Sequence, residues 1–242
     1  MRKLLIPILA FAIPVLAFGA YNFTGGASTM RMGFIPKSTQ ANLAVASYSI
    51  RLLRRSAGGL DYGIAFAFGK NSDPNQNRVW MENDNGDAGL GLAFKAQFTS
   101  NGAGWAVPYP TNNVWTNYTI TYDGNSTSND PIIYKDGVSQ TINEFSSPAG
   151  TFPTDSDRLN VGNYVLGDQA WDGGLAEMAV WNRILTPLEA YILGKGFSPR
   201  FLPFGLVFYA PMVRNTGDIV GGVIGNASAT SPFAHPRIFN SR

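Results

Sequence analysis

Between Tyr48 and Asn182 the sequence is cut into short segments of alternating apolar and polar residues, each stopped by Gly, Asn, Asp or Pro. This pattern constrains the chain more than any other. Alternation over about 4–8 residues puts one set of side chains on one face of a β-strand, and regularly spaced turn signals then call for a sandwich or barrel. In Tyr62–Phe68, Tyr62, Ile64, Phe66 and Phe68 share a face. Strands are read at Tyr48–Leu53, Tyr62–Phe68, Arg78–Glu82, Leu90–Phe98, Val114–Tyr122, Pro131–Lys135, Val138–Ile142, Leu159–Tyr164 and Gly174–Asn182. Between them stand Lys70–Asn77, Asn83–Gly89 and Asp136-Gly137, where Asn-Gly and Asp-Gly supply the positive φ of tight turns. The expected fold is all-β, a two-sheet antiparallel jelly-roll sandwich.

One short helix is expected near residues 187–193. Thr186 is a good N-cap, Pro187 suits the first helical position, Glu189 completes a capping box, and Gly194 or Gly196 ends it. The chain ends are of different character. Met1–Lys3 carry two positive charges and Leu4–Phe18 run uncharged and apolar, so residues 1–19 read as a hydrophobic leader, a signal peptide or a retained anchor. Residues 4–18 would then give a membrane or assembly contact. Residues 20–200 form the sandwich. Residues 201–242 carry a late apolar strand, Phe204–Met212, and a tail that packs on the sandwich or on a neighbour.

Composition narrows the function. There is no cysteine and one histidine, which excludes disulfides, cysteine nucleophiles and His-rich zinc sites. His235 has no G-x-S-x-G elbow to serve, so no triad is expected. The net charge is +2 with scattered basic residues, so nucleic acid is not an expected partner. The densest basic cluster, Arg51, Arg54 and Arg55, reads as a solvated strand end.

Four blocks, in order, carry a family resemblance across about a third of the chain. They are Trp115-Thr116-Asn117-Tyr118 with Thr121-Tyr122-Asp123-Gly124, then Ile132-Ile133-Tyr134-Lys135-Asp136-Gly137, then Leu159-Asn160-Val161-Gly162-Asn163, then Trp171 through Leu185 with the helix after it. They resemble the laminin G-like, concanavalin A-like sandwich domains of bacterial and phage proteins. The resemblance implies a concanavalin A-type fold, binding to glycans or protein surfaces as the usual activity, and often one calcium. It also implies that Trp115, Trp171 and Trp181 are core, and that Asp172 and Glu177 are structural, capping a turn or pairing with Arg183. The apolar strand and His235-Pro236-Arg237-Ile238 ending are similar to tails of phage structural proteins.

Glucanases of this wider fold place carboxylates as E-x-D-x-(x)-E along one strand. The nearest match is Glu82-Asn83-Asp84-Asn85-Gly86-Asp87, whose Asn and Gly residues read as a turn, so no catalytic residue is assigned. Sugar sites pair aromatic walls with a few polar groups. Trp80, Asp84, Asn85, Trp105 and Tyr109 lie in or beside Gly/Asn-rich segments and are the candidate glycan contacts. For calcium, Asp123, Asn125, Asn129 and Asp130 offer oxygens within eight residues. Phe201, Phe204, Phe208 and Tyr209 are the candidate interface with neighbouring subunits. The expected function is a non-enzymatic surface or structural domain, a phage-type virion decoration or assembly component with glycan binding, which can oligomerise. The alternatives are a secreted bacterial lectin-like protein and, third, a glycoside hydrolase. The expected location is a virion surface or the extracellular space.

Overall fold

A computed structural model describes residues 19–24, 31–70, 73–84, 91–164, 167–212, 217–228, 231–234, 236 and 238–239. The leader 1–18, Asn85, Asp87 and His235 lie outside the described residues. In chain order the strands begin β1 (Gly19–Phe23), β2 (Arg31–Phe34), β3 (Val45–Arg54), β4 (Ile64–Lys70), β5 (Asp73–Asp84) and β6 (Gly91–Ala96). They continue as β7 (Ala103–Val107), β8 (Trp115–Asp123), β9 (Ile132–Lys135), β10 (Val138–Ser139), β11 (Asn143–Ser146) and β12 (Arg158–Val161). The last are β13 (Gly173–Trp181), β14 (Leu206–Ala210), β15 (Asn226–Ser228) and β16 (Ser231–Ala234). Two helices join them, α1 (Ser38–Ala41) and α2 (Pro187–Gly194).

The strands form two antiparallel sheets of eight. The first runs β10-β9-β8-β3-β13-β1-β16, with β14 also pairing β13, and the second runs β11-β7-β6-β5-β4-β12-β2-β15. Alternation decides what each strand buries. In β3, Ala46, Tyr48, Ile50 and Leu52 enter the core, opposite Tyr118, Ile120 and Tyr122 of β8. Phe66, Phe68, Met81, Phe94 and Trp105 close it from the second sheet. The rings of Tyr48, Phe66, Phe94, Trp105 and Tyr122 form a chain of centroid contacts from 5.2 to 6.2 Å. The fold is the expected jelly-roll sandwich.

The tail completes both sheets rather than hanging from them. β14 pairs β13, β16 pairs β1 and β15 pairs β2. Asp218 fixes the turn after β14. Its Oδ1 accepts from the Tyr209 and Val220 amides, and its Oδ2 accepts from Gln40 Nε2 of α1 at 2.9 Å.

Helix α2 sits on the outer face of the first sheet. Thr186 and Glu189 form the capping box, and Arg183 grips Glu189 through two bonds of 2.6 and 2.9 Å. Those hydrogen bonds hold the Glu189 carboxyl down to about 2. The Asp136-Gly137 turn, with Gly137 at φ +82°, lies so near the helix that a Cβ there would meet Tyr191 Cα at 2.6 Å. Among the described residues no helix is long and apolar enough to cross a membrane.

Candidate functional site

The outer face of the second sheet carries the site. Val79 and Met81 point into the core, so the strand's alternation turns Trp80, Glu82 and Asp84 outward. Phe94 and Ala96 do the same for Lys95, and Ala103, Trp105 and Val107 for Gly104 and Ala106. Register then lines up Ala67, Trp80, Lys95 and Gly104 across β4, β5, β6 and β7. Gly104 is required here. A Cβ would meet the Phe145 ring at 2.4 Å, so its absence lets that ring lie down on the sheet. An open groove of about 380 Å³ results. Trp80 and Phe145 are its aromatic walls, Lys95 is part of its floor, and Asn101, Gly102, Ala103 and Ser146 close one end.

The electrostatics are unusual for a groove that contains a lysine. Lys95 Nζ lies 2.7 Å from Glu82 Oε1 and 3.0 Å from Asp84 Oδ2, with side chains 12% exposed for the lysine and 6% and 0% for its partners. Burial pushes the Glu82 carboxyl up, and the Lys95 charge works against that. For Lys95, burial alone would lower the ammonium, but the two carboxylates outweigh it and hold it up. A retaining glycosidase needs one protonated and one ionised carboxyl about 5–5.5 Å apart across the sugar bond. Here both carboxylates face one ammonium, which is the geometry of an ion-pair lock. The sequence pattern ends the strand at Glu82 and starts a turn at Asn83; β5 instead runs on to Asp84, so both carboxylates do lie on one strand face. Asn83 explains the extension. It is buried between them, accepts from Arg54 Nε at 2.9 Å and donates to the Ala57 carbonyl at 3.1 Å.

In the loop expected to hold calcium, several side chains are engaged by the protein itself. Calcium takes 6–8 oxygens at about 2.3–2.6 Å. Asp123 Oδ1 accepts from the Asn125 amide, Asn129 Nδ2 donates to the Asp123 carbonyl, and Asp130 Oδ1 accepts from Trp105 Nε1 at 2.9 Å. One carboxylate oxygen of Asp123 is thus used in the loop's own turn and one of Asp130 on the core tryptophan. Among the described residues no group of three acidic or histidine side chains is placed to hold a metal ion.

Residues 36–190 match the family model for the concanavalin A-like lectin/glucanases superfamily. The chain belongs to that superfamily. No curated protein sequence matches it. Among solved structures it is similar to a candidate carbohydrate-binding protein from Bacteroides ovatus, at 15% identity and a TM-score of 0.56, over 91% of this chain and 62% of that one. The chain thus spans less than two thirds of that protein. It is also similar to a heptameric SAP-like pentraxin from Limulus polyphemus, at 13% identity and a TM-score of 0.54, over 88% of this chain and 96% of that one. At these identities the likeness is one of fold.

Within this concanavalin A-like frame the candidate residues separate. Trp80 lines the groove, and Asp84 stands behind it in the ion lock. Tyr109 sits at the far end of β5, where its hydroxyl donates to the Asp84 carbonyl and Arg54 stacks on its ring at 4.1 Å. Trp105 is a correction. It is fully buried in the core, because Ala103, Trp105 and Val107 alternate inward along a strand that the neighbouring Gly/Asn-rich segments mask in the sequence. Phe208 and Tyr209 are also corrected. Phe208 packs edge-on against Phe34 at 5.1 Å inside the sandwich, and the Tyr209 hydroxyl donates to Glu177 Oε2 at 2.6 Å beneath α2. Phe201 and Phe204 remain on the surface, 41% and 79% exposed. Glu177 pairs with Tyr209 rather than Arg183, because a bulge at Glu177 (φ +58°) turns its carboxyl toward β14. Asp172 lies 3.7 Å from Arg55. The three arginines are not one solvated cluster: Arg51 bonds the Leu193 carbonyl, Arg54 bonds Asn83 and Asn112, and Arg55 bonds Asn22. Lys95 and Phe145 were missed. Their signal was present only as alternation in Gly91–Ala96 and as the small Gly104 opposite.

Proposed function

We propose that this chain is a non-enzymatic carbohydrate-binding domain that works at a surface and holds sugar between Trp80 and Phe145. The groove carries this reading. Ligand sites combine apolar walls with a few placed polar groups, and here Trp80 and Phe145 stand beside Asn101 and Ser146. The lock of Glu82 and Asp84 onto Lys95 supports binding over catalysis. We assign the domain to a phage-type particle, as a decoration or assembly component. What supports that setting is the opposite side of the sandwich, where Leu188, Tyr191, Phe201 and Phe204 are exposed around α2 and offer an apolar attachment face. Protein recovered only as a soluble secreted form would move the assignment to a lectin-like protein.

A glycan array probed with the wild-type chain and with Trp80→Ala tests the binding itself. Covering roughly 60 Å² of one indole face at about 25 cal/mol per Å² is worth about 1.5 kcal/mol, so Trp80→Ala should weaken every bound glycan about tenfold. Its melting temperature should fall only modestly: Trp80 lies outside the core, and Glu82, which loses the indole hydrogen bond, keeps Lys95. An array on which the variant binds as strongly as wild type would move the site elsewhere.

A further inference from the structure

Resting on that reading of the groove, we infer that it selects uncharged sugars and rejects acidic ones, with Glu82 and Asp84 as the residues that set this specificity. A lysine in a sugar groove ordinarily offers a cation to a uronate or sialate carboxyl. Here that cation is already committed. Lys95 has three N–H donors. Its Nζ lies 2.7 Å from Glu82 Oε1 and 3.0 Å from Asp84 Oδ2, and over the Phe145 ring at 5.3 Å. Both carboxylates are more buried than the ammonium, so water is a poor substitute for it as their partner. The trio of two carboxylates and one ammonium is formally negative. Among the described residues lining the groove, Lys95 is the only charged one.

The neutral groups point the same way. Asn101 Nδ2 donates to the Ser147 carbonyl at 2.7 Å, and Ser146 Oγ donates to the Gly102 carbonyl at 2.6 Å. What these side chains still offer is one amide N–H of Asn101 and otherwise acceptor oxygen: Asn101 Oδ1 and the lone pairs of Ser146 Oγ. Acceptors complement the O–H donors of a neutral sugar. A carboxylate brings only acceptors; beyond the one Asn101 N–H it would meet oxygen and the net negative charge of the trio.

The test is titration calorimetry with cellohexaose, mannohexaose and maltohexaose, each beside its C6-oxidised uronate counterpart. For each neutral hexasaccharide that binds, the uronate should bind at least about tenfold more weakly, and that gap should narrow as salt screens the repulsion. Asp84→Asn keeps the Glu82–Lys95 pair and should narrow the gap. Glu82→Gln with Asp84→Asn frees the ammonium, and a unit charge at this range through partly screened surroundings should raise uronate affinity about tenfold while the neutral sugar changes less than about twofold. Melting curves confirm that both variants are folded before they are titrated. Uronates that bind wild type as tightly as their neutral counterparts overturn the specificity and leave the sugar-binding reading standing. A folded wild type that binds none of the six probes counts against that reading and the specificity together.

Discussion

Replacing Lys95 with methionine is expected to cost the domain about 3–5 kcal/mol. The stem would still pack, but Glu82 and Asp84 would be left buried without a cation, and removing one partner of a buried pair carries a penalty of that size. At about 2–4 °C per kcal/mol for a domain of this length, the melting temperature should fall by about 6–20 °C. The loss should depend on pH in a defined direction. An uncompensated buried carboxyl has its folded-state value raised above the unfolded one, so the folded state binds more protons and gains relative stability as the pH falls. The deficit of Lys95→Met should therefore shrink from pH 7 to pH 5. Glu189 behaves oppositely. Held down to about 2 by the Arg183 hydrogen bonds, its contribution is complete above the unfolded carboxyl range and is lost as the pH falls toward 2. Denaturant titrations of both proteins at the two pH values check this. A change below about 1 kcal/mol at pH 7 would mean that the ammonium is not what keeps the two carboxylates buried.

The second large effect separates two phenylalanines four residues apart. Phe208→Ala should cost about 3–5 kcal/mol, the usual range for truncating a buried aromatic, because its ring fills the sandwich against Phe34. Phe204→Ala should stay within about 0.5 kcal/mol, since that side chain is a surface one. Thermal unfolding of the two variants reads both numbers. Equal effects would contradict β14 as an integral strand of the first sheet. The contrast also bears on the proposed particle setting: if wild type is recovered in particles and a normally folded Phe204→Ala protein is not, Phe204 lies on the attachment face.

Period-two alternation made β3, β4, β6 and β8 legible, because apolar residues recur in each at every second position; β13 keeps the pattern on either side of its bulge at Glu177. Helix α2 was legible for a different reason, since its caps are local and Thr186, Pro187 and Glu189 state the start within four residues. What was not legible depends on contacts distant in sequence. Strand β7 has one large residue, and the smallness of Gly104 and Ala106 reads as a loop until Phe145 is seen lying over Gly104. The extension of β5 to Asp84 rests on Asn83 meeting Arg54 and Ala57, more than twenty-five residues earlier in the chain. Without that extension the two carboxylates share no face, and Lys95 has no visible partner. Phe208 was ambiguous because Leu206–Ala210 is apolar on both faces: it packs on Phe34 on one side while Tyr209 packs with Trp181 on the other. A strand buried on both sides does not announce whether its partner is its own sandwich or another chain.

The most direct test of sugar binding in the groove is a 15N–1H correlation spectrum recorded while a neutral hexasaccharide that scores on the array is added. The account predicts that the Trp80 indole N–H and the Asn101, Gly102 and Ser146 amides shift together with one dissociation constant, while reducing-sugar release stays at the background level. Shifts confined to the Asp123–Asp130 loop or the α2 face, or release of new reducing ends that Glu82→Gln abolishes, would contradict it.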